Sequence, residues 1–349
     1  MTINSLAAGE IYFLGEHDPV TMERTPFVKI GIVRDRDNRS SESRRKEHQT
    51  GNPRLLTLDE VIQTALVERV ETSLHWQFSP HRISGEWFYF PGEAKQSAID
   101  AAKKLAEDAK AAAIHIQNVE EFRKVLSTAE QITPDVTIWE IFTRLKALEA
   151  VVDECEEITK RITGIMVDVS KHHDLGALFT WQDKNQSDLF DSKSFKKDHP
   201  DLWNEFVDVS ESLSGTFRLG KWPDGKVLPD LRPVELDSVV AVVKEAESKV
   251  IDGVESVTEL HRQFLRTLSL QGPIEWEIDV LEAELKARCG TAAEIVGVCK
   301  WPRAIKEKET LNKDALAEQH PEIFQQFVKV RERIQVPIVS RDLGFRINH

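Results

Sequence analysis

The sequence predicts an α+β chain: a small N-terminal unit with a three-stranded antiparallel sheet and helices, then a mostly α-helical region containing a tandem duplication. Three observations predict this. Short β-prone runs separated by turn residues fill the first 58 positions. Ala-, Lys- and Glu-rich stretches with helical periodicity dominate from Ser97 onward. A twelve-residue string beginning at Lys196 returns, altered, at Ala317. The expected organisation is 1–93 for the mixed unit, 94–133 for a connecting helix, 134–215 for one helical copy, 216–257 for a linker and helix, and 258–349 for the second copy.

Each element has a local cause. Glu10 to Gly15 and Phe27 to Val33 are β-prone runs around a turn-rich stretch with Asp18-Pro19 and Pro26, which predicts a hairpin. Ser40 or Ser41 caps a short helix ending near Gln49, with Gly51 just beyond it and Pro53 barring continuation. Leu55 to Leu58 reads as a third strand. The capping box Thr57-x-x-Glu60 then opens a second helix whose apolar stripe is Ile62, Leu66, Val70 and Leu74. Ser97 to Lys124 reads as a long helix leading away from this unit.

Bulk composition narrows the function classes. At 349 residues, 40% hydrophobic and 30% charged, the chain resembles an ordinary globular protein. No apolar run approaches the roughly 18–20 residues needed to cross a bilayer, and no basic-then-apolar leader is visible, so no membrane partner is expected. Three cysteines without a CxxC pair predict a reducing cytoplasm. The net charge of −13 would repel a duplex. Residues 1–95 carry 12 Lys and Arg against 14 Asp and Glu, so most of the excess lies farther on. Arg34, Arg36, Arg45, Lys46 and Arg54 crowd into one segment and are the candidate DNA contacts.

The polar residues suggest a chemistry. Arg44 and His48 are four apart on the first helix, and Glu68, Glu71 and His75 share a face of the second. Phosphodiester hydrolysis needs a base for water, a carboxylate for a divalent metal, a cation against the phosphate and help for the leaving oxygen. Tyr12, Lys29, Arg44, His48 and Glu71 supply those residue types.

Ile11-Tyr12, Lys29-Ile30-Gly31, the run Arg44 to Pro53, and Glu71-x-x-x-His75-x-x-Phe78 together resemble the GIY-YIG nuclease superfamily, in its compact phage and bacterial branch. The resemblance implies a DNA endonuclease of a phage, mobile-element, restriction or antiviral-defence setting. It implies that Tyr12 contacts the nucleophilic water, that Lys29 stands where a tyrosine is usual, that Arg44 stabilises the phosphate with His48 one turn later, and that Glu71 binds Mg²⁺ or Mn²⁺. Glu10 stands where that family has glycine, the Tyr12–Lys29 spacing is long, and the asparagine after the metal ligand lacks a counterpart. Glu68 and Glu86 are rival metal ligands. The alternative is a noncatalytic DNA- or protein-binding protein.

Behind this unit, Lys196 to Val207 aligns with Ala317 to Val328, including His199-Pro200 and His320-Pro321, with Trp181 and Trp301 upstream of them. Each copy is expected to comprise a long amphipathic helix, a Trp-bearing loop and a short helix opened by the proline, with Leu202/Ile323, Trp203/Phe324 and Phe206/Phe327 as its buried stripe. Its acidic balance predicts a protein partner or homo-oligomer rather than DNA for this region. A Pro- and Gly-rich stretch, Gly220 to Leu231, joins the copies, followed by a helix from Val234 to Ile251.

Overall fold

The computed structural model describes residues 6–184, 188–248 and 254–344. Strands β1 (Gly9–His17) and β2 (Arg24–Arg34) form the expected antiparallel hairpin, and β3 (Leu55–Thr64) pairs with the other edge of β1. Two short strands, β4 (Arg82–Ser84) and β5 (Trp87–Tyr89), extend the sheet beyond β2, so it has five strands in the order β3-β1-β2-β5-β4 and not three. Helix α1 (Ser41–Gln49) is capped by Ser40 through a capping box with Ser43, and Gly51 follows it at φ +80°.

The boundary between β3 and α2 (Val67–Gln77) departs from expectation. The strand runs on to Thr64, and the Thr57 hydroxyl donates to Asp59 at 3.3 Å instead of opening a helix. Ile62 lies opposite Ile11 in the ladder, while Leu66, Val70 and Leu74 are the buried residues next to and within α2. Pairing along the whole of β1 outweighs the local capping signal, as tertiary context commonly does.

Period-two alternation gives β1 two different faces. Ile11 and Phe13 enter the main core with α2 and with α3 (Ala94–Phe122), whereas Tyr12 and Leu14 join Val33 in a smaller cluster on the opposite face. α3 does not lead away from the sheet. Its Ala98, Ala102, Ala109 and Ala112 are buried in the same core, their small side chains letting the helix lie close.

The remaining helices are α4 (Val136–Ser170), α5 (Ser192–Asp198), α6 (Pro200–Phe206), α7 (Glu235–Ser248), α8 (Val254–Cys289), α9 (Lys313–Gln319) and α10 (Pro321–Gln326). Residues 249–251 of the helix expected after Val234 lie outside the described residues. α4 packs against α8, and α8 also packs on α2 and α3, placing Trp276 and Ala283 in the N-terminal core. Arg69 of α2 forms buried ion pairs with Asp279 and Glu275 of α8, and a Cβ on Gly272 would stand 2.9 Å from the Trp76 Cβ.

The two occurrences of the repeated string take matching conformations. Where one short helix was expected there are two, parted at a histidine whose following proline disfavours helical geometry before it. His199 has φ −132° and ψ 63°, and His320 has φ −133° and ψ 60°. Asp191 and Asn312 cap the preceding helices through their side chains. Contacts between the halves are reciprocal: the Asp191 N–H donates to the Phe327 carbonyl and the Asn312 N–H to the Phe206 carbonyl, both at 2.8 Å. His199 packs edge-on against Phe327 and His320 against Phe206, and neither side chain caps the helix that follows it. Strand 207–215 pairs with strand 303–311, and strand 179–184 with strand 334–339.

Candidate active site

Tyr12, Lys29, Arg44, His48 and Glu71 converge where β5 ends and the edge of β2 opens. The last backbone bond there runs from the Ile30 N–H to the Glu86 carbonyl. Tyr12 lies opposite Gly31, and a Cβ on Gly31 would stand 2.5 Å from the phenol oxygen, so glycine is what lets the ring cross the strand. The Tyr12 hydroxyl is bonded to the Arg44 side chain and lies 3.5 Å from His48 Nε2. The four-residue spacing on α1 thus presents both groups to the same phenol. Burial holds the phenol above its ordinary pKa despite Arg44, and burial, with Lys29 and Arg44 nearby, holds His48 below its own. At neutral pH the site therefore offers a protonated phenol beside an uncharged imidazole.

Lys29 is 7% exposed and forms an ion pair with Glu86. Burial alone would raise Glu86, but the Lys29 hydrogen bond and charge bring it below the usual carboxylate value. Glu86, a rival metal ligand by sequence, is thus already engaged. Glu68 is engaged as well, by Arg34 and Arg36 at the surface.

Glu71 differs from both. Its Oε1 is buried and has no hydrogen-bond partner among the described residues. Burial first, and the neighbouring Glu86 second, push its pKa up to about 7, against the opposing charges of Lys29, Arg34 and Arg82. His75, placed by its spacing on the same helix face as Glu68 and Glu71, is buried at 8% exposure and bonded through Nε2 to the Ile30 carbonyl at 3.2 Å. Desolvation takes it down to about 4, so it is a neutral prop between α2 and β2. Arg82 on β4 was not singled out from sequence. It is partly buried, which lowers its pKa, and it faces Glu71, Glu86 and Asp342.

A buried carboxylate oxygen left unmatched is costly unless something binds it. A small divalent cation fits, because Mg²⁺ is commonly held by one or two carboxylates with its other positions taken by water and phosphate oxygens. Glu71 would be the protein ligand. Among the described residues no group of three or more His, Cys, Asp or Glu forms a metal cage.

The expected DNA contacts are largely neutralised from within. Arg34 and Arg36 pair with Glu68, Arg45 with Glu42, and Arg54 with Glu16; Lys46 has no ion pair among the described residues. Phe88 and Phe90 are core residues stacked on each other and so are not available to bases.

The T5orf172 domain family matches residues 9–107. That finding overturns the GIY-YIG resemblance: the matching family is a different one. The departures from GIY-YIG have a structural counterpart. Glu10, standing where a glycine was expected, accepts hydrogen bonds from the Ser41 N–H and hydroxyl and from Gln63, so it fixes the start of α1 to the sheet. The T5orf172 match runs from β1 into α3, in keeping with the shared core of sheet and helix. No curated protein and no solved structure matches the chain.

Proposed function

We propose that the chain is a metal-dependent DNA endonuclease that hydrolyses phosphodiester bonds at the site around Glu71. The observation that carries this reading is the buried, unpartnered Glu71 Oε1 set among Lys29, Arg82, Arg44 and the Tyr12–His48 pair. Glu71 would hold Mg²⁺, or Mn²⁺ in its place, and the ion would supply electrostatic stabilisation of charge building on the phosphoryl oxygens. The protein's own part is positioning and proton movement. The Tyr12 phenol orients a water, and uncharged His48 accepts its proton. Arg44, bonded to Tyr12, is placed to offset phosphate charge beside the attacking water. Lys29 and Arg82 add fixed positive charge that Glu86 holds in place.

We further infer that the matching halves behind this domain arose by tandem duplication and serve assembly, with a protein partner or second copy as ligand. Free, buried Cys155, Cys289 and Cys299 suit a reducing cytoplasm. No helix among the described residues is long and apolar enough to cross a membrane. A second reading is noncatalytic DNA or protein binding; its protein-binding form is favoured by the internal pairing of Arg34, Arg36, Arg45 and Arg54, which leaves little free charge to grip a duplex.

Plasmid cleavage by the full chain with Mg²⁺ or Mn²⁺, beside EDTA and Glu71→Ala, separates the readings. The nuclease reading expects metal-dependent nicking or linearisation that Glu71→Ala lowers by about 10³-fold or more. DNA binding with no cleavage under either metal would establish the noncatalytic reading instead.

A further inference from the structure

The C-terminal segment reaches the candidate site from the far end of the chain. The Leu343 N–H donates to the Arg82 carbonyl at 2.7 Å, joining the segment to β4. The Arg341 guanidinium lies 5.5 Å from the centre of the Trp76 ring, one residue past His75 on the helix that carries Glu71. Ser340 is anchored from two sides, its N–H donating to the Leu178 carbonyl and its carbonyl bonded to His261 Nε2, both at 2.9 Å. Asp342 is turned onto its own segment, accepting from the Ser340 hydroxyl at 2.8 Å and the Gly344 N–H at 3.0 Å. These bonds hold the segment against β4, where the Arg341 charge acts on Arg82 together with those of Asp342, Glu86 and Glu71. Arg341 is exposed and has no ion pair among the described residues.

We propose that Arg341 and Arg82 form a second phosphate subsite next to the Glu71 centre, binding the nucleic-acid backbone phosphate that neighbours the scissile one. The chemistry favours a phosphodiester over a lone carboxylate. Two guanidiniums from different elements offer forked donors to a tetrahedral anion. One of them is stiffened over an indole face, which lowers the cost of ordering it. Of the basic groups on α1 and β2 that would otherwise serve, Arg34, Arg44 and Arg45 are spent on internal ion pairs, whereas Arg341, like Lys46, is not. Asp342, held by its own turn, tempers Arg82 but leaves the outer face of Arg341 open. Arg82 lies within the T5orf172 match and Arg341 outside it, so the segment behind that domain would complete its binding surface.

The inference rests on the nuclease reading for the word scissile, but its test does not. Full-length protein carrying Glu71→Ala binds a labelled duplex in Mg²⁺ over a salt series, with and without Arg341→Ala and Arg341→Lys. Cleavage by the same Arg341 variants with Glu71 intact is followed in parallel, and melting confirms folding. The expected result is weaker binding for Arg341→Ala, on the order of tenfold, with a salt slope shallower by about 0.9 for one lost phosphate contact. Arg341→Lys should recover most of both, and cleavage should show a raised KM with kcat nearly unchanged. Unchanged affinity and slope in a folded Arg341→Ala protein would overturn the subsite and leave the nuclease reading intact. Arg341-dependent binding without cleavage by the unaltered protein would overturn the nuclease reading and support the subsite.

Discussion

At the scale of single residues, Glu71 shows how function and stability pull apart. Its folded pKa of about 7 lies above the ordinary 4.5. Between those values the folded chain holds a proton that the unfolded chain has released, so this group lowers stability as pH rises from 4.5 towards 7. His75, taken down to about 4, acts with the opposite sign: its contribution is lost as pH falls below 6.5. Glu71→Gln removes only the first effect. It should leave melting nearly unchanged at pH 4.5 and raise stability at pH 8 by on the order of 2 kcal/mol. Equal melting shifts at both pH values would show that Glu71 carries no burial cost. The five residues singled out from sequence meet because their spacings follow the periods of strand and helix. Arg82 escaped notice because its setting depends on Asp342, far along the chain, and no local pattern marks it. The burial of His75 was hidden for a related reason: the carbonyl that draws it inward belongs to β2, not to its own helix.

At the scale of elements, α2 is a helix clamped from two sides. The sheet holds one side, and α8 holds the other through the Arg69 pairs with Asp279 and Glu275 and the close contact at Gly272. Gly272→Ala would remove about 1 kcal/mol of helix penalty. Its new Cβ, however, would press on the Trp76 Cβ and on the Gln77 nitrogen at 3.2 Å, neither of which can swing away. The expected outcome is net destabilisation of about 1–3 kcal/mol by chemical denaturation. A more stable variant would mean that α8 and α2 pack less tightly than described. Sequence patterning made the hairpin, α1 and the long helices legible, since each carries its own caps or periodicity. The end of β3 was not, because Ile62 and Leu66 are spaced as on a helix and only pairing with β1 assigns Ile62 to a strand. The docking of α8 on α2 was equally hidden, since it joins Arg69 to a residue 210 positions away.

At the scale of the whole molecule, the domain that matches T5orf172 does not close its own core. Trp276 and Ala283 of α8 fill the space between α2 and α3, and Asp279 supplies the buried counter-charge for Arg69. A chain cut after Lys124 would therefore expose that apolar seam to water and leave Arg69 without its counter-charges. Such a fragment should melt well below the full chain or aggregate, as calorimetry and light scattering would show. A fragment as stable as the full chain would make α8 dispensable to the domain.

The reciprocal bonds between the two matching halves also set a timetable. Strand 179–184 finds its partner only in strand 334–339, and the Asp191 N–H waits for the Phe327 carbonyl. Helix α2 likewise lacks its α8 clamp until residue 283 and beyond have been made. At about 5–20 residues per second of synthesis, many seconds separate the first half from the second. A ribosome that stalls midway releases a polypeptide with a half-built core, an unclamped α2 and no Arg341. Completion of the proposed site thus waits on residues 334–343, and a copy that stops short of them would lack it.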